Sequence, residues 1–271
     1  MNGKIAFIGA GNMAEAVISG IVHQGILPKE QITVTNRSNA ERLEEISNTY
    51  QVRTSMDKEQ VVQEADMVLL ATKPYDLEEM LTSIRSHIQP EQLIISVVAG
   101  ISTDFISRLI GKEAPVVRTM PNTSAAVGAS ATAIAAGKYA GAEHIRQVEA
   151  LFNTIGLTQV VEEVDMHTVT GISGSGPAYI YYLVEAMEKA AVEAGLDPET
   201  AHELIIQTVV GAGEMLKDSG EPAALLRKKI TSTKGTTEAG VQSLEKNDFA
   251  AIIKDCVESA RKRSVELGKE E

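Results

Sequence analysis

The chain has 271 residues, 44% of them hydrophobic, enough for one large domain or two smaller ones around a substantial core. Its formal net charge of -12 is spread along the whole sequence, which argues against a nucleic-acid partner, and Arg261-Lys262-Arg263 reads as a solvated helix face among Glu258 and Glu266. Cys256 is the single cysteine, the histidines lack metal-ligand spacing, and no apolar run approaches the ~20 residues of a membrane span, so disulfide, metal and membrane classes drop out.

Met1-Asn2-Gly3-Lys4 leads straight into a strand rather than a cleavable leader, and the expected setting is reducing and cytoplasmic. Lys4 to Ile8 is that strand. It runs into Gly9-Ala10-Gly11-Asn12-Met13 and a helix over Asn12 to Gln24. Gly9 allows a tight turn, Gly11 lets backbone approach a pyrophosphate, and Ala14 takes the small-residue place where helix meets strand, with the helix N-terminus facing the anion.

A second strand, Gln31 to Thr35, ends in Asn36-Arg37-Ser38. NAD-preferring sites carry an acid here for the ribose hydroxyls, and this chain has none. A guanidinium and a hydroxyl instead stand where an added 2′-phosphate would lie, which favours NADPH, with NADH as the alternative donor. The same residues allow a plainer role, with Ser38 and Glu41 as a capping box for a helix over Ala40 to Asn48 and Arg37 solvated.

Further strands are expected at Met67 to Ala71, Leu93 to Val97, Val116 to Met120, Ala129 to Ala135 and Leu157 to Val161. Helices fill Leu77 to His87, Thr103 to Leu109 and Glu143 to Phe152, the alternation of a parallel sheet covered on both faces. Open sheets of this kind bind ligands beyond the carboxyl ends of their strands. Three such ends, Ala71-Thr72-Lys73-Pro74, Val97-Val98-Ala99-Gly100 and Met120-Pro121-Asn122-Thr123, are candidates to flank a nicotinamide. Each alone is equally a strand terminator; their repetition favours the site.

After Asp165 apolar residues recur at helical spacing to the end. Pro177 opens Ala178 to Ala194, Asp197-Pro198 opens a helix to Lys217, and a third runs from Asp248 to Leu267. The fold class is therefore α/β, a Rossmann-like, doubly wound, mostly parallel sheet over residues 1–163, followed by an all-helical domain over 164–271. Such alanine-rich helices bury their apolar faces against a second subunit, so a homodimer or higher homo-oligomer through them is expected.

Two segments in this half lead into helices and offer free N–H groups to a small carboxylate: Ser173-Gly174-Ser175-Gly176-Pro177-Ala178-Tyr179 and Thr231-Ser232-Thr233-Lys234-Gly235-Thr236-Thr237. Plain N-capping explains either one alone. Neither contains a histidine, acid or cysteine able to protonate an alkoxide, as ketone reduction requires. A cyclic imine arrives already protonated, and a hydroxyl such as that of Thr237 suffices to hold its ring nitrogen, so the expected substrate is a small imino acid.

Taken in order, Phe7-Ile8-Gly9-Ala10-Gly11-Asn12-Met13, Thr72-Lys73-Pro74, Arg118-Thr119-Met120-Pro121-Asn122-Thr123, Ser173 to Tyr179 and Gly235-Thr236-Thr237 resemble pyrroline-5-carboxylate reductase over nearly the whole chain. The resemblance implies NADPH or NADH as donor, a helical dimerisation domain, and a substrate site where the two domains meet. By matching position it implies that Ser232, Gly235, Thr236 and Thr237 hold the substrate carboxylate, Thr237 being the catalytic hydroxyl near the imine nitrogen. Ser175 and Gly176 then line the same pocket. Gly9, Ala10, Gly11, Asn12, Met13, Asn36, Arg37, Ser38, Ala71, Thr72, Lys73, Pro74, Val97, Val98, Ala99 and Asn122 hold the cofactor.

One departure stands out: the family usually has Ser-Pro-Gly-Gly where this chain has Ser232-Thr233-Lys234-Gly235. It keeps two alternatives open, a reductase of a related cyclic imino acid and a non-catalytic NADPH-binding paralogue. A hydroxyacid dehydrogenase fits poorly, because its lysine, four residues after the last glycine of Gly171, Gly174 and Gly176, is replaced by Ile180.

Overall fold

The computed structural model describes residues 3–268, so the leader reading on Met1 and Asn2 and the last residues of the 164–271 segment lie outside the described residues. In chain order the first part comprises β1 (Ile5–Ile8), α1 (Asn12–Gln24), β2 (Ile32–Thr35), α2 (Ala40–Tyr50), β3 (Arg53–Thr54), α3 (Lys58–Gln63), β4 (Met67–Leu70), α4 (Leu77–Ile84), β5 (Leu93–Ser96) and α5 (Thr103–Ile110). It continues with β6 (Val116–Met120), β7 (Ser130–Ala136), α6 (Ala142–Phe152), β8 (Gly156–Val160) and α7 (Met166–Val169). The helices α8 (Gly176–Glu193), α9 (Pro198–Ser219), α10 (Ala223–Lys229), α11 (Thr236–Lys246) and α12 (Phe249–Leu267) follow.

The strands form one eight-stranded sheet in the order β3-β2-β1-β4-β5-β6-β7-β8. Its pairs are parallel except β6 with β7. The exception follows from the connection: Met120 to Ser130 holds only a 3-10 turn, Thr123–Val127, and a parallel return needs a longer crossover. The inner strands are buried on both faces and so read as continuous apolar runs. Ile5 and Phe7 of β1 face a core with Val17, Ile18 and Ile21 of α1 and Leu151 and Phe152 of α6. Ala6 and Ile8 face the opposite core, with Leu77, Leu81 and Ile84 of α4 and Ile106 of α5.

Registers bring the carboxyl ends of three strands level, Ile8 lying beside Thr35 and beside Leu70. The chain winds outward in opposite directions from β1 and β4, and in this topology a crevice opens between their ends. The strand β3 and the helix α3 were not foreseen from sequence. Two polar residues carry no strand pattern, and Val61 and Val62 are the only buried residues of a six-residue helix.

The chain divides into two compact units, 1–175 with 258–271, and 176–257. The first compact unit runs on to Ser175 because Met166 of α7 is fully buried against Ala133 and Ala135 of β7, and the end of α12 also belongs there. Ser264 is 2% exposed and shares a 2.9 Å hydrogen bond with His167 Nδ1. Leu267 lies so close to Gly100 that a Cβ on that glycine would sit 2.9 Å from the Leu267 Cβ. The second unit has few buried residues: Ala201 and Ile205 of α9 are buried, whereas α8, α10 and α11 contain none. No described helix is long and apolar enough to cross a membrane.

Candidate active site

A crevice of about 360 Å³ lies at the level ends of β1, β2 and β4. Gly9 forms its inner corner with φ +119°, and a Cβ there would lie 2.4 Å from the Ala71 carbonyl oxygen, so only glycine allows this approach of the β1 and β4 ends. Its N–H donates to the Thr35 carbonyl at 2.9 Å, and Ala71 N–H donates to the Ile8 carbonyl at 2.9 Å. Gly11 differs: its backbone is ordinary, and an added Cβ would meet nothing within 4 Å. Its contribution is open space on the crevice side of the α1 N-terminus, where it also provides no side chain to cap the first-turn N–H groups.

These features fit a dinucleotide. Thr35 and Thr72 each line the crevice with a buried hydroxyl that has no partner among the described residues. Arg37, Lys58 and Lys73 give it cations, while Ile8, Met56 and Met80 give it apolar wall. Orphaned hydroxyls, uncapped N–H groups and positive charge are what a phosphorylated ribose and a pyrophosphate would satisfy.

Of the residues expected at the cofactor, Gly9, Gly11, Asn36, Arg37, Ala71, Thr72 and Lys73 line the crevice. Ala10 is buried just behind it, Asn12 starts α1, and Met13 packs against the core. Pro74 opens a 3-10 turn, Pro74–Asp76. Val98 is buried in the core beyond β5, with Val97 and Ala99 half-buried beside it. Ser38 is exposed, and the Ser38/Glu41 capping box is not formed: Asn39 caps α2 by accepting from Arg42 N–H at 2.9 Å, while Asn36 braces Asn39 through both its amide atoms. The helix starts at Ala40 as expected, and the residue directly before it, Asn39 rather than Ser38, is its cap.

The crevice residues Met56, Lys58, Asp76, Glu79 and Met80 carried no site signal in the sequence: the first three come from a loop, a short helix and a 3-10 turn, and the apolar pattern that predicts α4 does not mark Glu79 and Met80 as facing a crevice. The residues that brace the glycine turn from behind were equally silent. Arg42 donates from Nε to the Ala10 carbonyl at 3.0 Å and pairs with Glu15 and Glu45, while Tyr50 donates to Glu15 at 3.0 Å. Arg42 thus clamps the glycine turn to α2, and the hydrogen bonds it donates to Glu45 and Glu15 hold its guanidinium above its ordinary pKa.

Arg118, known from sequence only as part of a motif, is among the largest fully buried side chains. Its NH1 is 3.7 Å from Glu163 Oε1, and its Nε and NH2 have no partner among the described residues. Burial lowers its pKa, against the pull of Glu163, which also accepts from Thr103 N–H at 2.7 Å. Nearby His167 is held below its ordinary value by burial first, then by the charges of Arg118 and Arg261.

Residues 3–268 thus display a crevice whose lining has the residue types that fit a dinucleotide. A family model described as pyrroline-5-carboxylate reductase dimerisation matches residues 163–267, and one described as NADP oxidoreductase, coenzyme F420-dependent, matches residues 4–100. The chain is 48% identical over 267 residues to pyrroline-5-carboxylate reductase 1 of Bacillus subtilis, covering 98% of this chain and 90% of that one. It belongs to the pyrroline-5-carboxylate reductase family. Among solved structures, a pyrroline-5-carboxylate reductase from Coxiella burnetii superposes with a TM-score of 0.91 at 33% identity, covering 98% of this chain and 99% of that one. A Plasmodium falciparum pyrroline carboxylate reductase with NADP bound gives 0.89 at 31% identity, covering 98% of each.

The Ser173 to Tyr179 segment is less of a free turn here than the sequence suggests. Thr170–Gly174 is π-helical and Ser175 N–H donates to the Thr170 carbonyl at 2.9 Å, so that group is already used. Bulges of this type recur at functional sites. Gly174 packs where a Cβ would lie 2.6 Å from the Met120 Cε, and Asn122 Nδ2 donates to the Ser173 carbonyl at 3.2 Å, so two motifs distant in sequence meet inside the first unit. The Asn122 Oδ1 also accepts from Ser124 N–H, which gives that side chain a loop-fixing role.

In the second unit Gly176 opens α8, and Ser232 to Gly235 form a tight turn into α11. Gly235 N–H donates to the Ser232 carbonyl at 3.0 Å, and a Gly235 Cβ would lie 2.4 Å from Ser232 Oγ. Thr236 and Thr237 occupy the first turn of α11, which has no side-chain cap, and Thr237 is half-buried. Lys234 takes up φ +63°, the left-handed region a glycine adopts freely, at the place where the family usually has one.

Proposed function

We propose that this chain reduces the cyclic imine 1-pyrroline-5-carboxylate to L-proline, with NADPH as the favoured donor and NADH as the alternative. The observation that carries the reading is the Gly9–Thr35–Thr72 crevice, with its orphaned hydroxyls, in a chain that matches pyrroline-5-carboxylate reductases from end to end. A bound reduced nicotinamide supplies the hydride. The chain's own groups bind and orient: first-turn N–H groups of α1 receive pyrophosphate, and Arg37 and Lys58 lie where a 2′-phosphate gains from charge.

On the substrate side, Ser232, Gly235 and Thr236 hold the carboxylate at the uncapped start of α11. Thr237 holds the ring nitrogen through its hydroxyl, and Ser175 and Gly176 are the further residues assigned to the substrate. Hydride adds to the iminium carbon, the C=N π pair becomes the nitrogen lone pair, and positive charge is lost. No strong general acid is required, so orientation supplies much of the acceleration.

The helical half supports a homo-oligomer, since Ile180, Tyr182, Leu204, Met215 and Ile252 are all exposed in the single chain and the dimerisation model covers residues 163–267. Light scattering behind size-exclusion chromatography tests this, and a stable monomer at micromolar concentration overturns it. The activity is tested by NADPH consumption with pyrroline-5-carboxylate, six-membered piperideine-2-carboxylate and a panel of 2-oxo acids. Turnover is expected on the five-membered imine; turnover on neither imine overturns the reading.

A further inference from the structure

Arg37 leaves the end of β2 with its two terminal nitrogens turned to two different carboxylates. NH1 is 3.4 Å from Asp76 Oδ1, and NH2 is 3.3 Å from Glu79 Oε1. The acids come from another part of the chain, Asp76 from the 3-10 turn beyond β4 and Glu79 from the first turns of α4. All three residues line the cofactor crevice, so the pairing takes place inside it.

A guanidinium binds phosphate best through a two-pronged contact from its terminal nitrogens. Those prongs are already engaged here. A 2′-phosphate must displace both carboxylates from Arg37 or lie among them, and either course adds unfavourable interaction with two fixed negative charges. A free ribose 2′-hydroxyl meets the opposite situation, because a carboxylate accepts its hydrogen bond. NAD-preferring sites carry such an acid directly after the second strand. In this chain that place is Asn36-Arg37-Ser38, and the fold brings acids to the crevice from beyond β4 instead.

We propose that Asp76 and Glu79 set the cofactor discrimination of this enzyme. They compete with the 2′-phosphate for Arg37 and accept from a free ribose hydroxyl, so the preference for NADPH over NADH is shallow. Lys58 and Lys73 on the same crevice keep the phosphorylated nucleotide in contention. The proposal rests on the reading of this crevice as the cofactor site with Arg37 on its 2′-phosphate side. Arg37 and Glu79 are both 72% exposed and Asp76 36%, so solvent and salt screen the competition and its size is modest.

The test is equilibrium titration of NADPH and of NADH into the full-length protein without any imine, followed by cofactor fluorescence, for wild type, Asp76→Asn, Glu79→Gln and the double variant. The ratio of Kd for NADH to Kd for NADPH is expected to rise about threefold in each single variant and about tenfold in the double. The rise should shrink between about 0.05 M and 0.5 M salt. A ratio that is unchanged or lower in the double variant at low salt overturns the proposal. Arg37→Glu separates the two levels: if it lowers the ratio while the double variant fails to raise it, the acids alone are misassigned. If Arg37→Glu leaves the ratio in place, or if neither nucleotide binds, the crevice reading falls and the proposal with it.

Discussion

The two compact units contrast in how they satisfy their own apolar surface. The first covers both faces of its sheet with helices and hides Ile5, Phe7, Leu69 and Ile95 almost completely. The second leaves Tyr181, Tyr182, Leu183 and Ile253 exposed and buries little beyond Ala201 and Ile205. Candidate site residues follow the same division. In the first unit most of them lie at or beside strand ends whose geometry is fixed by the sheet; in the second they lie at the starts of α8 and α11 and on the turn before α11. A region that closes its own core defines its ligand site by itself, whereas a region that does not depends on what covers it.

Substitutions placed separately in the two units can break this contrast. The largest effect is expected from Gly9→Ala, whose Cβ would strike the Ala71 carbonyl at a positive φ. NADPH affinity should fall by more than about 100-fold and stability by about 2–4 kcal/mol, while the oligomer persists. Fluorescence titration and thermal melts read both; retained NADPH binding would show that the turn tolerates a side chain. Thr237→Val is the converse. Turnover should fall about 100-fold with NADPH affinity little changed, as expected for a group that acts only on substrate. Unaltered kinetics would remove Thr237 from the mechanism.

Glu163→Gln probes the first unit's self-sufficiency at its weakest buried point, by taking away the charge facing Arg118. A loss of about 2 kcal/mol is expected in denaturant unfolding, and a neutral outcome would mean that Arg118 is solvated otherwise. His167 gives the same region a pH dependence. Its folded pKa lies below the ordinary imidazole value of 6.5, so its contribution is complete above that value and is lost as the pH falls through the folded pKa. His167→Gln should flatten the acid side of the melting-temperature profile. The smallest effect belongs to the second unit: Lys234→Gly relieves a left-handed backbone and should stabilise by up to about 1 kcal/mol, visible as a small rise in melting temperature.

Much of the first unit is legible in the sequence for a physical reason. Parallel strands buried on both faces must be apolar throughout, and Ile5 to Ile8, Met67 to Leu70 and Leu93 to Ile95 all meet that condition. The reversal at β7 is carried by the short connection after Met120, whose length precludes a parallel crossover, and not by any residue pattern within the strand. The glycine corner and the Thr72 strand end were readable, since close backbone approach demands particular residues. Lys58, Asp76 and Glu79 were not, because an exposed charge looks the same whether it faces solvent or a crevice. Likewise Arg118 shows itself as a buried group only when Glu163, distant in sequence, closes over it.

The return of residues 258–268 to the first unit has a consequence for how the molecule is made. The helical unit is in effect an insertion, entered after Ser175 and left before Glu258, so the nucleotide-binding unit stays incomplete until the last stretch of α12 has been synthesised. Until then Gly100 lacks Leu267 and His167 lacks Ser264. A nascent chain arrested within α11 therefore exposes the loop after β5, and the isolated first unit can be produced whole only by rejoining its two pieces of chain.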